Sequence, residues 1–127
     1  MSNPAYCQRS DIEAVFGIDN VAAWATMSTG DSGGDITARI TAIIAIASDD
    51  LNEVLREVAG IDARLPLTAP TPNVTYQVAC HAGFLLYGPR ATDDYGKDPQ
   101  SYPSLLESRF QRWLAEVRDG KRRLEVS

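Results

Sequence analysis

The stretch "DITARITAIIAIASDDLNEVLREVA", residues 35–59, decides the fold. Ile36, Ile40, Ile43, Ile44, Ala47, Leu51, Val54, Leu55 and Val58 recur at spacings of three, four and seven, which gathers them on one face of a helix. At the helical rise of 1.5 Å per residue the segment spans about 37 Å, and Gly60 is the expected terminator. Arg39, Asp49, Glu53, Arg56 and Glu57 occupy the opposite, solvated side. The middle, "TAIIAIA" at 41–47, is apolar nearly all round, with Ile46 well off the main stripe. A helix apolar on two sides must be covered on two sides. In a chain of 127 residues the second cover is expected from another subunit, so Ile46 is a candidate interface residue. Asp50 borders the stripe and is assigned with it, as an inter-helix or inter-subunit hydrogen-bonding group.

The flanking segments repeat the helical pattern. "RSDIEAVFG" (9–17) opens with a predicted capping box, Ser10 with Glu13, and stops at Gly17. "DNVAAWATM" (19–27) is a second short helix with Asp19 as its predicted cap. "STGDSGGD" (28–35) has the composition of a loop. "IDARLPLTAPTP" (61–72) is a proline-rich connection whose last proline, Pro72, is placed to open the next helix. "NVTYQVACHAGFLLYG" (73–88) carries so few charges that it reads as a helix buried on most sides, and "PRATDDYGKDPQSYP" (89–103) is a second loop. The last helix is predicted to begin with a Ser104–Glu107 capping box, to align Leu106, Phe110, Trp113, Leu114 and Val117, and to end at Gly120. Period-2 alternation is absent except in the last few residues. The expectation is an all-α bundle of about five helices, a single domain over 1–119 with an extended C-terminal tail over 120–127 and no internal repeat.

Composition sets further bounds. Hydrophobic residues make up 44% and charged residues 23%, which is ordinary for a globular chain. No apolar run approaches the roughly 18 residues of a membrane span. The first residues lack the basic-then-apolar order of a secretory signal, so the chain is expected in the cytoplasm unless a particle carries it elsewhere. Net charge is −5, which argues against a general nucleic-acid binder. The charge is uneven: residues 108–127 hold six of the twelve cations against three acids, and the remainder carries −8. A basic end on an acidic body suggests docking to something acidic.

Chemistry-bearing residues do not assemble into a catalytic constellation. His81 is the sole histidine, lies within the buried fourth helix, and is expected to be packed or interfacial. Its neighbour Cys80 points about 100° away, which is not a nucleophile–base arrangement. Cys7 and Cys80 are too few for a disulfide framework and, with His81, have no zinc-site spacing. "GDSGGD" (30–35) lacks the Gly-Lys-Ser/Thr of a phosphate loop, and Asp31 and Asp35 would repel an anion. Asp49, Asp50 and Glu53 have the clustering of an ordinary helical surface rather than a calcium cage. Trp24 and Trp113 fall on apolar faces, and Arg109 and Arg112 are expected to lie away from Trp113, which removes a base-stacking platform. No enzymatic activity, cofactor or metal is expected.

Taken in order, these segments resemble the head–tail connector (neck adaptor, head-completion) proteins of tailed bacteriophages. "YCQRSDIEAVFG" (6–17) looks like their opening, a tyrosine before a short capped helix ending in Phe-Gly. A long Ala/Ile helix carrying "ASDDLNEVL" (47–55) follows, then "ARLPL" (63–67), "VACHAGFLLYGPR" (78–90) and "RFQRWLAEVRDGKRRL" (109–124). The likeness covers nearly the whole chain. It departs at "REVAGIDARLPL" (56–67), where relatives more often place an Arg-Tyr pair before the Pro-Leu.

The resemblance implies a structural protein that assembles as a ring, usually twelvefold, beneath the portal protein ring after DNA packaging. It would sit in the virion neck, having assembled in the host cytoplasm, and present a surface to the downstream stopper or tail protein. Lys121, Arg122, Arg123, Leu124 and Val126 would form a portal-docking tail beyond Gly120. Twelve such subunits carry on the order of sixty negative charges, suited to a channel through which DNA passes without specific binding. The rival expectations are another neck component, a stopper or tail-completion protein, which should be richer in strands, and a small helical regulatory or DNA-binding module.

Overall fold

Ser32 fixes where the long helix begins. Its hydroxyl accepts from the Asp35 amide at 3.1 Å while an Asp35 carboxylate oxygen accepts from the Ser32 amide at 3.0 Å, a reciprocal cap that satisfies two otherwise orphaned donors. The computed structural model describes residues 5–26, 30–57, 71–88 and 102–119. Among them the chain is all-helical: α1 (Arg9–Phe16), α2 (Ile18–Ala25), α3 (Gly33–Leu55), α4 (Pro72–Tyr87) and α5 (Tyr102–Arg118). The predicted all-α bundle of five helices is therefore present, with α3 as its long helix, although the central position expected of that helix is taken by α4. Val58, Gly60, the loop stretches 27–29, 58–70 and 89–101, and the tail from Gly120 onward lie outside the described residues.

Several predicted boundaries shift by a few residues. α1 is capped by Gln8 with Asp11, not by Ser10 with Glu13, because Glu13 is drawn instead to Arg9 at 3.0 Å. α2 starts from Gly17 and holds Asp19 in its first turn. Gly17 has φ 96°, a left-handed conformation that only glycine takes without strain, and this single residue ends one helix and begins the next. α4 opens as predicted with Pro72 at its first position and Thr71 as cap. α5 begins at Tyr102, which places Ser104 inside the first turn and frees Glu107 for a different partner.

α4 sits at the centre, packed on α3 along one side and α5 along another, with α1 and α2 across its remaining surface. Val74, Val78, Ala79 and Ala82 are fully buried there, consistent with its low charge. Gly83 permits the closest approach. A β-carbon at that position would fall 2.0 Å from the Phe16 ring, so the glycine is what lets α1 lie against α4. Phe16 then meets Trp24 and Tyr102 edge-on at 5.4 and 5.7 Å.

The core stripe of α3 is rotated from the predicted one. Ile40, Ile44, Ala47, Leu51 and Leu55 are buried, but so are Ser48 and Asn52, while Ile36, Ile43 and Val54 are only partly covered. Tyr6 explains the two polar residues. Its backbone N–H donates to Ser48 Oγ at 3.0 Å and its hydroxyl to Asn52 Oδ1 at 2.6 Å. The tyrosine thus pins the N-terminal segment onto α3 through bonds that keep both buried groups satisfied.

Candidate functional site

His81 joins the three principal helices. It projects from α4 and is buried at 6% exposure, with Nε2 2.8 Å from Asp50 Oδ2 on α3 and Nδ1 2.8 Å from Glu107 Oε1 on α5. The imidazole stacks on Phe110, centroids 4.5 Å apart and planes 11° from parallel. A neutral imidazole donates through only one nitrogen, whereas the imidazolium donates through both and so suits two carboxylates. Burial is the largest single influence on His81 and lowers its pKa. The hydrogen bonds to Glu107 and Asp50, with the charges of both, outweigh burial and leave the value raised. Glu107 is further held by Gln111 Nε2, 2.8 Å from its other oxygen. With both ring nitrogens occupied, His81 is a packed tie between helices, as its sequence context suggested. Asp50 takes the inter-helix alternative with one oxygen, and its side chain stays 46% exposed.

The other chemistry-bearing residues lie elsewhere in the bundle. Cys7 and Cys80 are buried free thiols. Burial, reinforced by the charges of Asp11 and Cys80, pushes Cys7 up to about 12, and burial raises Cys80 as well, so neither is a nucleophile at neutral pH. Asp49 and Glu53 are exposed and lie 3.8 and 2.9 Å from Arg56, and among the described residues no group of three or more potential ligands is placed to hold a metal. Trp113 is buried in the core, and Trp24, half-buried, packs against it. No described helix is long and apolar enough to cross a membrane.

Two surface flanks remain. The first runs along α3, where Ala38, Ala42 and Ala45 precede Ile46, half exposed at 50%. Beside it, the segment from Ala5 to Arg9 and the Thr37–Ala45 side of α3 enclose a shallow apolar groove. The second lies across α4 and α5. Arg109 and Arg112 line a groove with Asn73, Tyr76, Gln77, Glu116 and the edge of Trp113, so the structure brings the two arginines beside Trp113, contrary to the expectation that they lie away from it. The missed signal was the polar trio Asn73, Tyr76 and Gln77, which shares one side of an otherwise apolar helix. The predicted portal-docking residues Lys121, Arg122, Arg123, Leu124 and Val126 lie outside the described residues.

Comparison with protein-family models, curated proteins and solved structures finds no significant match.

Proposed function

We propose that the chain is a structural subunit of the head–tail neck of a tailed bacteriophage, an adaptor that assembles as a ring, twelvefold on the family pattern, beneath the portal. The observation that carries this reading is the uncovered apolar flank of α3, where Ile46 is half exposed on a helix whose opposite face is already buried. An isolated globular subunit gains nothing from such a flank; an assembly subunit buries it. The ordered likeness of the segments from Tyr6 to Leu124 to neck adaptors supplies the kind of assembly. A stopper or tail-completion role is favoured less, because the described residues contain no strand.

On this reading the bundle is a rigid collar element. The tail Lys121–Arg123 meets acidic groups on the portal, Leu124 and Val126 bury beside them, and the other side receives the stopper or tail protein. The neck is the chain's destination, and assembly takes place in the host cytoplasm. Electron microscopy of the purified chain mixed with the portal ring encoded in the same genome tests it. Extra ring density at the portal's narrow end is the expected result. Bare portals at saturating concentrations of the chain overturn it.

A further inference from the structure

The two surface flanks match each other. Along α3 an apolar patch, Ala42, Ala45 and half-exposed Ile46, is followed by two exposed acids, Asp49 and Glu53. Along α5, Leu105 at 44% exposure is followed by two exposed cations, Arg109 and Arg112, with Tyr76 of α4 alongside at 39%. In both helices the order from N- to C-terminus is apolar, then charged. Ile46, Asp49 and Glu53 are spaced by three and four residues, and Leu105, Arg109 and Arg112 by four and three. The charged groups therefore stand about 5–10 Å beyond the apolar anchor on either helix.

Arg109 and Arg112 differ from the other arginines. Of the six among the described residues, Arg9, Arg39, Arg56 and Arg118 each pair with a described carboxylate, and these two have no carboxylate partner among the described residues. On α5 they lie on the flank opposite Glu107, which is the side turned to Asp50 and α3 through His81. Their groove cannot be closed by the acids of the same α3. Among the described residues Asp49 and Glu53 are held by Arg56 alone, in solvent-exposed pairs that water and salt screen, which leaves them available for exchange.

We infer that the α3 flank of one copy docks on the α5 flank of the next, with the two helices running parallel. Ile46 packs against Leu105 and Tyr76, Asp49 faces Arg109, and Glu53 faces Arg112. The two surfaces are different, so the contact is heterologous: it propagates head-to-tail and makes a ring when the rotation closes. The inference deepens the adaptor reading by naming how ring neighbours touch. It is testable without a portal, so it can fail while portal binding stands, and portal binding can fail while it stands.

The test mixes two full-length single-cysteine-added chains, Ile46→Cys and Leu105→Cys, under oxidised glutathione. Native Cys7 and Cys80 are buried and form no background. The mixture is expected to yield a covalent dimer with a 46–105 disulfide, mapped by mass spectrometry, while either chain alone remains uncross-linked. Adding Arg112→Glu to the Leu105→Cys chain should slow cross-linking by about tenfold or more through like-charge contact with Glu53. Adding Glu53→Arg to the Ile46→Cys partner should then restore it, a rescue that loss of folding cannot produce. Cross-linking of Ile46→Cys with itself, no 46–105 disulfide in the mixture, or no rescue by the paired reversal overturns the inference.

Discussion

His81 should make the stability of this protein depend on pH. It is the only histidine in the chain, and its pKa is raised above the ordinary value of 6.5 by the Glu107 and Asp50 carboxylates despite its burial. Below the unfolded-state pKa both states hold the proton, and the full stabilisation of the imidazolium is present. As pH rises beyond it, the unfolded chain releases its proton first. Stability then falls by up to about 1.4 kcal/mol per pH unit until the folded pKa is passed, after which the contribution is lost. Carboxylates titrate below about pH 5, while the buried Cys7 and Cys80 thiols begin to withdraw stability as pH nears about 8, so the difference in slope between wild type and His81→Leu across about pH 6 to 8 is what reports on His81. Replacing His81 by Leu leaves Glu107, whose side chain is 14% exposed, with Gln111 as its partner in place of a cation, at a cost of about 3 kcal/mol. Asp50→Asn should cost under about 1 kcal/mol, because the Asp50 side chain is 46% exposed and water replaces the bond. Urea unfolding at pH 6, 7 and 8 measures the slope, and an NMR titration of the lone imidazole measures the folded pKa. A flat wild-type profile across that interval, a pKa below 6.5, or an identical slope in His81→Leu would refute the arrangement.

Gly83→Ala places a methyl 2.0 Å from the Phe16 ring and should destabilise the fold by about 1–3 kcal/mol, read as a lower urea midpoint with unchanged slope. Tyr6→Phe removes the donor to Asn52 and leaves a buried amide oxygen short of a partner, so a loss of about 1–3 kcal/mol is expected in the same assay, with helix content by circular dichroism retained. Cys7 and Cys80 should resist alkylation by iodoacetamide in the native state and react together once the chain unfolds; rapid labelling of the folded protein would show that these thiols are not buried.

The elements whose periodicity is local were legible in the sequence. α3 was fixed by its isoleucines, α4 by its lack of charge and by Pro72, and α5 by the spacing of Leu106, Phe110, Trp113 and Val117. What misled was competition between similar side chains. At α1 the shorter acid Asp11 takes the capping position in place of the expected Glu13, and Glu13 and Glu107 each have a better partner close in three dimensions, Arg9 and His81. The rotation of the α3 stripe toward Ser48 and Asn52 was invisible because it depends on Tyr6, 42 and 46 residues away. The same holds for the surface. Ile46 was singled out from one helix alone, whereas the arginine groove needed α4 and α5 side by side, information that no periodicity within α5 contains.

The neck role is tested most directly in a tailed phage whose genome encodes this chain, by deleting the gene and measuring infectivity together with the DNA content of purified heads. Particles that package DNA but lose it, remain tailless, and regain infectivity when the wild-type chain is supplied are the predicted result. Normal yields of infectious, DNA-filled, tailed particles from the deletion would contradict it.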